Sequence, residues 1–359
     1  MRARLARFPY RLGLIAALGL VARLVVLFGP ARNVKGVGDW TFFHRGANLI
    51  AEGHWFVEPF EQLFRGRLVP SAGHPPLWEL VLGGVSWLGG TGYNAHRAAG
   101  CVLGAVAIVL VGLLARRIGG DRAGIAAALV AACYPVFIGA DTSLLSETLY
   151  GVLVAAALLV ALRVRDGGGP RAAAALGALV ALAALTRSEA LILLPLLALP
   201  VAMLRRPGRW TRAAACLGVC VLVLAPWAIR NVVDLGRPVL ISTNDGTLLA
   251  GANCPLTYHG QDLGFWNIEC ISTKDPGRTE TEQEAVWRRE GLRYAGHHAG
   301  RLPVVLAARL GRTFDIYQPR RMVSNAEGRW IRIDQAGIAA YFLLLPFAVA
   351  GGVGLYRRR

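Results

Sequence analysis

The chain has 359 residues, of which 55% are hydrophobic, and its formal net charge at pH 7 is +17. A mean hydropathy of +0.46 is too high for an ordinary soluble domain. A large positive charge can indicate nucleic-acid binding, but here the basic residues stand in short clusters between apolar runs, which is typical of helix flanks in a membrane. Composition therefore favours an integral membrane protein and argues against a nucleic-acid partner.

Apolar runs that approach the length of a membrane span, about 20 residues, recur along the chain. The first follows a basic N-terminus without a clear cleavage site, which favours a retained signal-anchor helix. A further apolar stretch, 76–90, is rich in glycine and is interrupted by Glu79. Eight spans are predicted, at 12–29, 97–115, 123–141, 145–162, 172–186, 190–204, 213–229 and 336–355.

The distribution of arginine decides whether 76–90 crosses the membrane. Arginine clusters mark cytoplasmic loops. If 76–90 crosses, the clusters at 116–122 and 205–212 move to the outside; if it does not cross, every cluster is cytoplasmic. We therefore predict that 76–90 is a juxtamembrane or re-entrant helix on the outer side. The cytoplasmic segments are then 1–11, 116–122, 163–171, 205–212 and 357–359.

The predicted fold is an all-α polytopic membrane protein of about eight transmembrane helices with a small extracytoplasmic domain, in the plasma (inner) membrane. Residues 1–229 form the transmembrane core, including an outer loop 30–96. Residues 230–335 form the outer domain, and residues 336–359 form the last span and its tail.

Two features of the outer domain carry further expectations. Cys254 and Cys270 lie in an oxidising location and are candidates for a disulfide bond. The stretch 301–317 has an amphipathic pattern. It is interpreted either as a helix lying on the membrane or as one packed against the outer domain.

Ionisable residues gather at the outer ends of the spans. Asp39 follows the first span, Glu147 begins the fourth, and Arg187 stands between the fifth and sixth. Ionisable groups near the hydrocarbon are costly and tend to be paired or functional. Together with His74 and Arg230, these residues suggest a polar cavity at the outer membrane surface.

Each of these residues also has a structural interpretation. Asp39 is interpreted equally well as a solvated acid in a loop. Glu147 stands at the start of a helix, where a carboxylate interacts favourably with the positive end of the helix dipole. Arg187 and Glu189 are equally an interfacial ion pair. His74 is equally the end of an extended segment before a helix that starts with proline.

Short motifs in a fixed order resemble the GT-C superfamily of membrane glycosyltransferases, and most closely its branch of protein O-mannosyltransferases and lipid A aminoarabinose transferases. The resemblance covers most of residues 1–255. The motifs are Gly38-Asp39, Ala47 to Gly53, His74-Pro75-Pro76-Leu77, Thr186 to Glu189, Pro226 to Asn231, Ser242 to Gly246 and Gly251 to Asn253.

The resemblance implies an outward-facing active site and a polyprenyl-phosphate-linked sugar as donor. The acid of the family's first loop maps to Asp39, and that of its second loop maps most naturally to Glu147. The sequence departs from many relatives in two places: Trp40 stands where a second acid is common, and His74 stands where lysine is common.

This resemblance predicts a glycosyltransferase that inverts the anomeric carbon, with Asp39 as the general base. Arg187, Arg230 and His74 are candidates for binding the donor phosphate. Glu147 is expected to position hydroxyl groups or to hold a divalent ion; no metal and no other cofactor is assigned. The donor sugar is mannose, another hexose or a pentose, and the acceptor is a glycan, a lipid or a protein. A transporter or flippase of lipid-linked precursors and a non-catalytic membrane scaffold are the alternatives.

Overall fold

The computed structural model describes residues 2–36, 38–275, 277–323 and 327–357. Arg358 and Arg359 of the predicted cytoplasmic tail lie outside the described residues. No β-strand occurs within the described ranges; an isolated bridge joins Val57 to Pro70. The helices are α1 (Arg2–Phe28), α2 (Asp39–Ala51), α3 (Pro59–Arg65), α4 (Pro76–Trp87), α5 (Tyr93–Cys133), α6 (Pro135–Asp141), α7 (Glu147–Arg165), α8 (Pro170–Ala184), α9 (Leu199–Met203), α10 (Arg209–Leu235), α11 (Asp245–Ala252), α12 (Pro255–Tyr258), α13 (Glu280–His297), α14 (Leu302–Thr313), α15 (Pro319–Val323) and α16 (Ile331–Arg357).

The predicted all-α polytopic membrane fold is confirmed. By length and composition, five helices of the described chain are able to cross a membrane: α1 from residue 7, α5, α7, α10 and α16. Two shorter apolar segments, Pro170–Ala184 and Ser188–Met203, lie between α7 and α10.

Helix α5 accounts for two of the predicted spans because it doubles back at Gly120. A Cβ placed on Gly112 would lie 3.3 Å from the carbonyl oxygen of Gly124, whereas a straight helix would separate these residues by about 18 Å. Gly120 has a φ of 79°, which glycine adopts without steric cost. The second arm of this helical hairpin is followed by α6, whose last residue, Asp141, lies against Gly100.

Helix α4, which comprises most of the stretch 76–90, packs across the ends of other helices instead of running beside them. The indole nitrogen of Trp78 donates a hydrogen bond to the carbonyl oxygen of Leu144 at 2.8 Å. The backbone nitrogen of Leu77 donates to the carbonyl oxygen of Leu185, also at 2.8 Å. Both acceptors follow the last residues of apolar helices, so α4 lies at one end of the bundle.

The arginine-rich turns meet at the opposite end. Arg117 forms an ion pair with Asp166. Arg205 donates from Nε to the carbonyl oxygen of Arg165 at 2.6 Å, and the guanidinium of Arg116 lies 4.1 Å from the ring centre of Phe8. We call this the arginine end, defined by residues 116–122, 163–171 and 205–212. The end that carries α2 and α4 is the site end.

The apolar segment between α8 and α10 is irregular where a regular span was predicted. It contains a 3₁₀-helix at Ser188–Ile192, a π-helix at Leu194–Ala198 and then α9. Pro195 and Pro200 have no backbone N–H, so neither residue can donate the hydrogen bond of a regular α-helix.

Helix α10 extends to Leu235, so the boundary predicted after residue 229 falls inside a continuous helix. Helices α11 to α15 lie between α10 and α16, in the stretch that the sequence predicts to be extracytoplasmic, and we call them the outer segment. Helix α13 packs against α11, and Gly246 and Gly291 allow the close approach of the two backbones. Cys254 and Cys270 are joined by a disulfide bond.

Candidate active site

A cavity of about 1060 Å³ opens at the site end between the membrane helices and the outer segment. Of the residues predicted for the site, Asp39, His74 and Arg187 line it, and Glu189 lines it beside them. Another wall is formed by Ser242, Thr243, Asn244 and Asp245, which belong to the Ser242 to Gly246 motif, and by three residues that the sequence did not indicate, namely Thr281, Glu284 and Arg288.

Asp39 and His74 meet on one wall of this cavity. Asp39 is the first residue of α2, where a carboxylate is favoured by the helix dipole. Gly38 precedes it with a φ of 79°, a conformation suited to glycine. His74 Nε2 lies 3.5 Å from Asp39 Oδ1. Because 49% of the Asp39 side chain remains exposed, the carboxylate is open to a ligand in the cavity.

The loop that carries His74 is fixed on both sides. The His74 ring lies 4.5 Å from the ring centre of Phe42 in α2. On the outer side, Glu280 of α13 accepts hydrogen bonds from the backbone nitrogen of Ala72 at 2.9 Å and from Thr243 Oγ1 at 2.7 Å. The outer segment therefore helps to set the position of the Asp39–His74 pair.

Arg187 forms the second charged group of the cavity. Its Nε donates to Glu189 at 2.6 Å and its Nη1 donates to Glu147 at 2.8 Å. Within the described chain, its other terminal nitrogen has no protein partner. Because Arg187 lines the cavity, this nitrogen is available to a ligand.

Burial and charge shift the pKa values of His74 and Arg187 in opposite directions. Desolvation lowers the pKa of His74 below its usual value, although the negative charge of Asp39 opposes the shift. Desolvation also acts to lower the pKa of Arg187, but Glu147, Glu189 and Asp39 outweigh it and raise that pKa. At neutral pH the cavity therefore holds a neutral imidazole beside a permanent guanidinium cation.

A second groove, of about 400 Å³, is lined by Glu147 and is more apolar than the cavity, although Asp141, Asp315 and Asp334 also line it. Its apolar walls come from α5, α6, α7 and α16 and include Val111, Val136 and Ile338. Arg329 also lines it and is a site residue that the sequence did not indicate. The Arg187–Glu147 ion pair therefore joins a polar cavity to an apolar groove within the helix bundle.

The structure does not bring Arg230 to the cavity. Its terminal nitrogens donate to the carbonyl oxygens of Ser71 and Phe56, each at 2.8 Å, and its Nε lies 2.8 Å from Asp234. Arg230 thus anchors the first outer loop to α10. The short motif around Arg230 gave no sign of this role because its partners are 159 and 174 residues away.

No group of three or more His, Cys, Asp or Glu side chains is placed to hold a metal ion in the part of the chain that the structure describes. Glu147 is bound to a guanidinium in this structure. Its contacts are accordingly those of an ion pair.

Residues 73–229 match the family model of dolichyl-phosphate-mannose-protein mannosyltransferases. The matched segment contains His74, Glu147 and Arg187, and it begins after Asp39. Comparison with curated proteins and with solved structures finds no match for this chain. The family match confirms the resemblance to GT-C membrane glycosyltransferases over this part of the chain.

Proposed function

We propose that this chain, whose residues 73–229 match the dolichyl-phosphate-mannose-protein mannosyltransferase family, transfers a sugar from a polyprenyl phosphate to an acceptor hydroxyl at the outer membrane surface. The donor sugar is mannose or a related hexose or pentose. The acceptor is a hydroxyl group of a protein, glycan or lipid that reaches the cavity from the extracytoplasmic side.

One observation carries the proposal. A polar cavity that holds Asp39, His74 and Arg187 adjoins an apolar groove at the Arg187–Glu147 ion pair. A lipid-linked sugar has the same division, since its sugar and phosphate are polar and its prenyl chain is apolar. The donor would place its phosphate near this ion pair, with the chain in the groove between the spans.

Asp39 is the proposed general base. The acceptor oxygen attacks the anomeric carbon and forms the new glycosidic bond, while the bond from that carbon to the phosphate oxygen breaks with its electrons. The acceptor proton passes to Asp39 and the polyprenyl phosphate leaves, so a single displacement inverts the anomeric carbon. Proton transfer by a positioned side chain typically contributes about 10²–10⁴-fold to the rate.

Arg187 is the proposed partner of the leaving phosphate. Its free terminal nitrogen can donate to a phosphate oxygen without breaking the bonds to Glu147 and Glu189. A fixed cation at the site of developing charge stabilises the transition state because it needs no reorganisation during the reaction. His74, being neutral, would orient the Asp39 carboxylate, and Glu147 would hold Arg187 in place.

The test is transfer of radiolabelled sugar from a polyprenyl-phosphate donor by the purified protein in lipid vesicles. Asp39→Asn keeps the shape of the side chain and removes its basicity. We expect turnover to fall by about 10²–10⁴-fold while the donor Kd stays within a few-fold. Unchanged turnover would refute the assignment of the base.

Two control variants make the test specific. Glu52→Gln removes an exposed carboxylate that is paired with Arg45 at the far end of α2 and should leave transfer unchanged. Glu284→Gln tests the rival carboxylate in the cavity wall, whose pKa is raised to about 7 by burial. If Glu284→Gln abolishes transfer and Asp39→Asn does not, the base is Glu284. Transport of the intact lipid-linked sugar across the vesicle, without transfer, would support the flippase alternative instead.

A further inference from the structure

Helix α14 directs its arginines toward the protein and leaves an apolar side exposed. The side that faces the protein carries Val305, Ala308, Arg309 and Arg312. The other side is apolar and exposed. It consists of Pro303, Val304, Leu306, Ala307, Leu310 and Phe314, with Thr313 at its edge.

The arginines of α14 bind the outer segment through backbone carbonyl groups. Arg312 donates to the carbonyl oxygens of Leu263 and Gln261 at 2.8 and 2.7 Å. Arg309 donates to the carbonyl oxygen of Ala252. These bonds fix the rotation of α14 about its axis, so the apolar side cannot turn inward without breaking them.

The exposed area is large for a surface in contact with water. Leu306 is 50% exposed and Leu310 is 61% exposed, and Ile316, just beyond the helix, is 71% exposed. At 3.6 residues per turn, the exposed side chains between Pro303 and Phe314 cover about half of the helix circumference. A continuous apolar face of this kind indicates an interaction surface.

The position of this face points to its partner. Asp315, the second residue after the end of α14, lines the same groove as Val136 of α6 and Ile338 of α16. Since α6 and α16 belong to membrane-spanning segments, the end of α14 lies at the level of their outer ends. The end of α14 thus lies close to the first turns of α16, a helix whose own apolar side chains, among them Leu343 and Phe347, are also exposed.

We propose that α14 is an interfacial helix whose apolar face is inserted into the outer leaflet of the bilayer. The outer segment would then be attached to the membrane at α14 as well as through α10 and α16. Because α14 is bonded to the segment 252–263, which connects to α11, this attachment would set the height of the cavity wall above the membrane. The apolar face of α14 would contact the acyl chains of the bilayer.

The test places a nitroxide label on α14 and measures its accessibility in lipid nanodiscs. Leu306→Cys and Leu310→Cys are made in a Cys133→Ala background, because Cys133 is the exposed free cysteine of the described chain. The control label is Arg293→Cys, at an exposed polar position of α13. Relaxation is recorded with oxygen, which concentrates in lipid, and with a water-soluble nickel chelate.

The two positions of α14 are expected to respond to oxygen several-fold more strongly than to the nickel chelate, with the reverse at residue 293. A nickel response at 306 and 310 equal to that at 293 would overturn the proposal. Protection from both reagents would also overturn it, because it would show that a second copy or another protein covers the face. The labels need no enzymatic activity, so the result is independent of the transferase proposal.

Discussion

Two clusters of acid and arginine lie at the site end of the bundle, and they differ in burial. In the first, Arg23 of α1 and Asp141 of α6 form a 2.6 Å ion pair in which both side chains are almost fully buried. In the second, Arg187, Glu147 and Glu189 pair at similar distances while each keeps at least 36% of its side chain exposed.

The difference lies in how completely each group is bonded. Arg23 also donates to the carbonyl oxygens of Gly19, Ala131 and Ala132, and Asp141 also accepts from Thr148. The first cluster is thus bonded entirely to the protein and holds α1 to the α5–α6 hairpin. The second cluster keeps a free donor and lines a cavity, so the same residue types can act on a ligand.

The largest effect on stability is expected from breaking the buried pair. Arg23→Leu leaves Asp141 buried without its counter-ion, and we expect the free energy of unfolding in micelles to fall by about 3–5 kcal/mol. The measurement is titration with a denaturing detergent, followed by the loss of helical circular dichroism.

The double variant Arg23→Leu/Asp141→Leu is the control for that experiment. It removes both charges, and replacing a buried ion pair by apolar residues is often close to neutral. We expect it to recover most of the lost stability. A double variant as unstable as the single one would show that hydrogen bonds to the backbone, and not the charge pair, hold α1 in place.

The open cluster should show the opposite pattern, with little change in stability and a large change in activity. Arg187→Gln removes the cation proposed to face the phosphate, and we expect transfer to fall by about 10²–10³-fold. Glu147→Gln keeps the guanidinium and should reduce transfer less. If Arg187→Gln lowers the free energy of unfolding as much as Arg23→Leu does, the cluster around Arg187 is structural in the same way as the buried pair.

Glu79 provides a third case, a carboxyl group that is buried without a partner. It packs against Gly46, its Oε1 has no hydrogen-bond partner in the described chain, and burial raises its pKa to about 8. The folded state therefore binds a proton that the unfolded state releases, so stability falls as pH rises from about 4.5 to 8.

Glu79→Gln is expected to remove that loss. At pH 7 the variant should be more stable by about 3 kcal/mol, and the difference should disappear below about pH 4.5. Parallel detergent titrations at pH 4.5 and 7 provide the measurement. An equal stability difference at both pH values would mean that Glu79 carries the same charge in the folded and unfolded states.

The smallest effect is expected at His74. Because burial lowers the pKa of His74, the folded state favours the neutral ring, and stability should fall as pH drops below the unfolded value of about 6.5. The slope is at most about 1.4 kcal/mol per pH unit. His74→Gln should flatten the stability profile between pH 6.5 and 5 in thermal unfolding; an unaltered profile would assign the acid loss to another group.

Much of the helix order was predictable because each apolar helix carries its own signal. The apolar runs and the arginine clusters are local features of the sequence. The predicted spans coincide with helical segments, except that 190–204 is irregular and 123–141 is divided between α5 and α6. The hairpin within α5 was predicted from the two apolar runs 97–115 and 123–141 with arginines between them, and the placement of α4 away from the arginine end agrees with the charge pattern.

The composition of the site was predictable only in part. Asp39, His74 and Arg187 were indicated by local motifs and do line one cavity. The motif around Arg230 pointed to the same cavity, but its guanidinium binds carbonyl groups elsewhere. Glu280 and Arg329 carried no local signal. The place of Glu280 depends on how α13 packs against the first loop, and that of Arg329 depends on how α16, which follows it, packs against α6.

By itself, the sequence determined that the chain is a bundle of membrane helices and that Asp39, Glu147 and Glu189 stand at one end of it, since hydrophobicity and arginine placement act locally. Tertiary structure decided which acids are fully bonded to protein groups and which stay exposed to the cavity, because that depends on contacts between residues far apart in the chain. Arg23 and Arg187 show this most clearly: both are arginines near an acid at a span end, and only packing separates the structural residue from the candidate for catalysis.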